Sequence, residues 1–210
     1  MLMSMSSAPA LRLEIIRRIA PGFRHKVLGK MQPIALIAQL LGKKIEANQH
    51  ESEFLLQRLQ ELKTSLKAAT NTADDLFTWL NPNEETMQPL GEIVAECLDL
   101  LKMEIYASNV VFQNHVNSKT LVKVSTVRNL FCACVLTYVD TVEKASEVVV
   151  SERLQAEGPV IEMTIMPSAG KQDKALSVHT TLIRWNDLHL LNESAQLVIE
   201  NDQVLISGIA

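Results

Sequence analysis

Apolar and polar positions alternate along the first eighty residues with the period of packed helices. From Val27 the apolar side chains fall at Val27, Met31, Ile34, Ala38, Leu41 and Ile45, in steps of four and three, the spacing of a coiled-coil seam. Upstream, Leu11, Ile15, Ile16 and Ile19 keep helical spacing as far as Pro21-Gly22, where the helix either kinks or restarts. The seam predicts one long helix to about Ala47, a polar turn over residues 48–52, and a second helix beginning near Ser52. That second stretch keeps the alternation throughout, at Leu55, Leu59, Leu62, Leu66, Ala69, Ala73, Leu76 and Leu80, and Asn81-Pro82-Asn83 ends it. Two such helices joined by a short turn form an antiparallel hairpin. Leu36, Leu40, Leu56 and Phe77 are expected to widen its apolar stripe, so a homodimer closing a four-helix bundle is expected to cover it.

Beyond Pro82 the pattern changes. Residues 90–103 read as an amphipathic helix, 109–116 as a strand and 124–144 as a helix. Two β-rich runs follow, 147–153 and 159–166, turned at Ala156-Glu157-Gly158; then a polar stretch, 171–175, a helix within 176–191, and a closing hairpin of 196–200 with 203–207. Runs of helix beside a mixed sheet make this part an α+β sandwich. The expected division is a helical hairpin over 1–82 and an α+β domain over 83–210.

Composition narrows the function. A net charge of −4 with 4% aromatic residues leaves neither a basic surface nor stacking platforms, so nucleic acid is not an expected partner. No apolar run reaches the roughly 18 residues of a membrane span, and the first ten residues lack a signal-peptide layout, so a cytoplasmic protein without membrane partners is expected. Cys97, Cys132 and Cys134 have no paired metal spacing and read as core thiols. His50, His115, His179 and His189 show no ligand or triad spacing either. Seven glycines are few for a chain that must wrap a nucleotide. No metal or cofactor is expected.

One histidine stands apart. At about 100° per residue His25 lies roughly 200° from Val27 and about 180° from Ile34, so its imidazole points away from the seam. One turn on, Gly29 leaves no side chain beside it, although glycine costs a helix interior about 1 kcal/mol relative to alanine. Arg24, Lys26 and Lys30 surround it with positive charge that would favour an anionic group on the ring.

The layout resembles the transmitter core of bacterial two-component histidine kinases. Phe23-Arg24-His25-Lys26 is similar to their phosphoacceptor box, residues 90–101 to the first helix of the ATP-binding domain, and Val127-Arg128-Asn129-Leu130-Phe131 to the start of its asparagine-bearing helix. The resemblance carries departures. Ala133 and Thr137 stand where the family's helix continues with asparagines that hold magnesium and phosphate, and Ile165-Met166-Pro167-Ser168-Ala169-Gly170-Lys171 lacks the aspartate and spaced glycines of the adenine loop. Lys26 replaces the carboxylate that follows the phosphoacceptor, and the family's proline is displaced to Pro33.

What the resemblance implies, with its departures, is a phosphotransferase of the degenerate kind, a dimeric hairpin beside an ATP-binding-like domain without ATP motifs. The expectation is a phosphohistidine relay rather than an ATP-dependent kinase: His25 exchanges a phosphoryl group with a response-regulator aspartate, supported by Arg24, Lys26, Gly29 and Lys30, with Gln32 in the docking face. The alternative is a catalytically inactive scaffold or inhibitor that binds a receiver domain or a kinase without carrying phosphate.

Overall fold

The computed structural model of the chain describes residues 7–47, 52–81, 83, 85–142, 146–156, 158–167, 185–191, 196–200 and 203–209. The helices are α1 (Ala8–Glu46), α2 (Ser52–Leu80), α3 (Leu90–Leu100), α4 (Lys102–Ala107) and α5 (Val124–Thr141). The strands are β1 (Met87–Pro89), β2 (Val110–Asn114), β3 (Leu121–Lys123), β4 (Ser146–Gln155), β5 (Gly158–Pro167), β6 (Gln196–Glu200) and β7 (Gln203–Ser207). This is an α+β architecture, a helical N-terminal part followed by an α/β sandwich on a mixed sheet. The chain forms two compact units. Gly22–Asn81 is one, and the residues on either side of it make the other.

The first unit is the α1/α2 hairpin. Helix α1 continues through Pro21 and Pro33 without a break. Phe23 meets the edge of Trp79 with ring centroids 5.9 Å apart, pinning the open end of the hairpin. Near the turn Lys44 and Arg58 lie over the Phe54 ring at 5.4 and 5.2 Å. Between these pins the stripe of α1 that faces α2 is Phe23, Val27, Ile34, Ile37 and Leu41, all buried or half-buried. The expected seam is therefore rotated. Val27, Ile34 and Leu41 belong to it, whereas Met31, Ala38 and Ile45 are exposed. In α2 the same split leaves Leu62, Ala69 and Leu76 half-buried but Leu59, Leu66 and Leu80 exposed. A four-three sequence pattern fixes an apolar arc but not which edge of that arc meets the neighbouring helix.

In the other unit the five-stranded sheet runs β2-β4-β5-β7-β6, with β2 parallel to β4 and every other pair antiparallel. Alternate residues point inward, so Val148, Val150, Ile161, Met163, Val204 and Ile206 are buried together. Helix α5 supplies the other side of that core, and every residue from Leu130 to Val139 is buried. A helix closed on all sides is apolar all round. Tyr138 of α5 donates its hydroxyl proton to the Met163 carbonyl at 3.5 Å and meets the Phe112 ring edge-on at 6.4 Å, tying helix to sheet.

The first turns of α1 pack here as well. Leu11, Ile15 and Ile19 are buried at steps of four, and Arg18 joins Asp140 at 2.6 Å and Glu104, linking α1 to α5 and α4. Burial acts to lower the Arg18 pKa, but hydrogen bonds from its guanidinium to Asp140 and Glu104 outweigh it and hold the pKa above its ordinary value.

Three expectations shift. The helix expected over 90–103 breaks at Leu101, which is fully buried and serves as the C-terminal cap of α3 and the N-terminal cap of α4. The short ribbon β1–β3, paired Met87 with Lys123 and Pro89 with Leu121, has no counterpart in the sequence reading. The helix expected within 176–191 is a 3-10 turn over Trp185–Leu191, and residues 176–184 lie outside the described residues, as does the polar stretch 171–175.

Candidate functional site

His25 is the eighteenth residue of α1, past Pro21, and the direction of its ring follows from its angle about the helix axis. The α2-facing stripe of α1 centres on residues 23, 34 and 41, and His25 lies about 160° from that centre. His25 is exposed. Gly29 and Gln32, four and seven residues on, share its face and are exposed too. A methyl group built on Gly29 would find no atom within 4 Å, so the space beside the imidazole is open.

The expected cations divide. Arg24 and Lys26 flank His25 at about 100° to either side. Arg24 is exposed, while Lys26 is half-buried and has interactions of its own. Lys30 is exposed but lies only about 20° from the centre of the α2-facing stripe and about 140° from His25, so only its long side chain can bring charge back toward the ring.

Leu36 and Leu40 do not widen the hairpin stripe. They are 58% and 40% exposed and lie below Gly29 on the His25 side of α1, with Pro33 between them and the glycine. The signal for this was present in the sequence, since Leu36 falls eleven residues after His25, three helical turns along one face.

Pro33 adds a feature that spacing alone did not assign. Proline has no N–H, and inside a helix it leaves the carbonyl four residues earlier without its ladder partner, at about 3 kcal/mol relative to alanine. That carbonyl belongs to Gly29. Glycine and proline together weaken α1 just where it carries the histidine, and no packing at Gly29 offsets the cost.

The positions matched to the nucleotide-holding asparagines sit in the core of the other unit. Ala133 and Thr137 are both 0% exposed, and the Thr137 hydroxyl donates to the Ala133 carbonyl at 2.8 Å, spending its proton inside α5. Arg128, at the start of that segment, forms a bidentate pair with Glu96 of α3, its Nη2 2.8 and 3.1 Å from the two carboxylate oxygens. Of the adenine-loop stretch, Ile165 to Pro167 ends β5 and residues 168–171 lie outside the described residues.

Cys132 and Cys134 are fully buried, and burial pushes both thiols up; for Cys132 the neighbouring Cys97 adds to the rise. Among the described residues no group of three or more His, Cys, Asp or Glu side chains is placed to hold a metal, and no helix is long and apolar enough to cross a membrane.

No protein-family model matches the chain, and no curated protein does. Solved structures do. A histidine kinase of Acinetobacter baumannii, AdeS, aligns over 83% of this chain and 92% of its own at 9% identity and a TM-score of 0.42. A bacterial phosphotransferase aligns over 92% and 95% at 11% identity and 0.38. The histidine kinase ThkA, solved in complex with the response regulator TrrA, aligns over 93% of this chain and 61% of its own at 14% identity and 0.40.

Proposed function

We propose that this chain is a histidine phosphotransfer protein of a two-component relay, exchanging a phosphoryl group between His25 and the phosphoacceptor aspartate of a response regulator without using ATP. The observation that carries the reading is the placement of His25: exposed, turned away from α2, and beside a glycine whose side-chain space is open.

The chemistry asks little of such a carrier. A neutral ring nitrogen attacks the phosphorus of an aspartyl phosphate; the N–P bond forms, the P–O bond to aspartate breaks, and aspartate leaves as a carboxylate. The reverse step regenerates the imidazole. The receiver brings its own metal and leaving-group aspartate, so a general base after the histidine is not needed, which is compatible with Lys26 at that position. Arg24, Lys26 and Lys30 supply a positive field for the transferring group, and Gln32 lies in the docking face.

The enclosure of Ala133 and Thr137 supports a phosphoryl source other than ATP. In this reading residues 1–82 form the phosphotransfer and dimerisation domain, 83–210 are a degenerate ATP-binding-like domain, the protein is a cytoplasmic homodimer, and it works with no cofactor of its own.

The test is incubation with a receiver domain carrying labelled phosphate. Acid-labile label should appear on the wild-type chain and be lost in His25→Ala. Label that survives the substitution overturns the assignment. The scaffold reading is favoured by the engagement of Lys26, and the same experiment decides it: a receiver that binds wild type and His25→Ala equally, and labels neither, establishes a scaffold.

A further inference from the structure

We propose that the main-chain carbonyl of Gly29 is a docking acceptor, met by a neutral N–H donor of the response-regulator domain that exchanges phosphate with His25. The proposal rests on the phosphotransfer reading and names a contact within it.

Helix α1 runs unbroken from Ala8 to Glu46, so residue 33 would ordinarily give its amide proton to the carbonyl of residue 29. Pro33 has none to give. Helical carbonyls point toward the C-terminus, so this acceptor opens between Gly29 and Pro33, about 6 Å along the axis from His25 and inside the footprint of any domain seated on the imidazole. Gly29, Pro33 and Leu36 are all exposed, and nothing lies within 4 Å of the position a Gly29 side chain would take. Both residues that frame the carbonyl are thus on the solvent side of α1. Pro21, the other proline of α1 beyond its first turn, differs in its surroundings: Gly22 and Phe23 beside it are buried, so a packing role is available there and not at Pro33.

The donor is neutral on electrostatic grounds. Arg24, Lys26 and Lys30 all lie within a turn or so of Gly29, so a lysine or arginine brought to this carbonyl would meet like charge. A loop amide or an asparagine or glutamine side chain makes the same hydrogen bond without that repulsion. The exposed Leu36 below the acceptor adds an apolar contact to the same footprint.

The test uses the full chain and, from a set of purified receiver domains, the one that labels His25 fastest. Pro33→Ala returns an amide proton to the Gly29 carbonyl and strengthens the helix, so the variant folds. With the docking acceptor occupied, KM for the phosphorylated receiver should rise about tenfold while kcat stays unchanged. A direct readout is carbonyl NMR of protein labelled with carbonyl-13C glycine; the chain has seven glycines, and Gly29→Ala identifies the Gly29 signal. In wild type that signal should move downfield when beryllofluoride-activated receiver is added; in Pro33→Ala it should already lie downfield and stay there. An unchanged KM in Pro33→Ala, or a wild-type signal that does not move on binding, overturns the proposal while leaving phosphotransfer standing. A wild-type chain that no receiver labels brings down both.

Discussion

At the scale of single residues the site separates stability from function with unusual clarity. His25 touches no core, so His25→Ala should change the unfolding free energy by no more than about 0.5 kcal/mol while abolishing acid-labile labelling. Gly29→Ala is more telling because its two effects oppose. The methyl group meets nothing within 4 Å and removes a helix penalty, so a thermal melt should show stabilisation of about 0.5–1 kcal/mol. The same methyl group narrows the approach to the imidazole, and the receiver-to-His25 transfer rate should fall at least about tenfold, roughly 1.4 kcal/mol of barrier. An unchanged rate would show that clearance is not what the glycine provides. His25 could be read from sequence because the angle from a seam is arithmetic. The state of its cations could not, since Lys26 and Lys30 are placed by which edge of the apolar arc meets α2 and by interactions that spacing does not encode.

At the scale of elements, α5 is enclosed without a break from Leu130 to Val139. Ala133→Asn puts a longer polar side chain into a fully enclosed position. Overpacking and an unpaired amide should cost about 2–4 kcal/mol in denaturant titration, and calorimetry with magnesium and ATP should stay flat. The thiols of the same helix give it a pH signature. Burial raises the pKa values of Cys134 and Cys132 above their reference value of 9.0. A raised acid pKa means the folded state holds the proton that the unfolded chain releases. The stabilisation is therefore complete below pH 9 and fades as pH climbs beyond it, by about 1.4 kcal/mol per thiol per pH unit. Denaturant midpoints measured between pH 8 and 10.5 should fall, and Cys134→Ala, though less stable at pH 8, should fall less steeply. Long elements with a sustained period, such as α2, α5 and the β4–β5 and β6–β7 hairpins, were legible in the sequence. The β1–β3 ribbon was not, because three-residue strands carry no period and form only when distant segments meet. The break at Leu101 was hidden too: no Gly or Pro marks it, and the burial of both Leu100 and Leu101 is a tertiary effect.

At the scale of the whole molecule, the hairpin leaves large apolar side chains exposed. In α1 the exposed Leu28, Met31, Ala38 and Ile45 lie on one flank of the α2-facing stripe; in α2 the exposed Leu56, Leu59, Leu66 and Phe77 lie on the flank offset in the same rotational sense along that helix. The helices are antiparallel, so equal senses in their own frames fall on the same side of the hairpin. One continuous apolar face results, with Met31 51% and Leu59 52% exposed. His25 lies about 120° beyond that face on α1, so covering it leaves the imidazole open. Contiguous apolar patches of this kind are interaction sites in soluble chains, and two copies of a hairpin related by a two-fold axis complete a four-helix bundle. Sedimentation equilibrium should return twice the 23.4 kDa chain mass. Met31→Glu combined with Leu66→Glu puts four carboxylates into that bundle core. It should weaken association by at least about a hundredfold, some 2.7 kcal/mol, while the Phe23–Trp79 contact within each hairpin keeps the monomer helical by circular dichroism. A variant that remains dimeric would place the interface elsewhere and remove the bundle from the account of how His25 is presented.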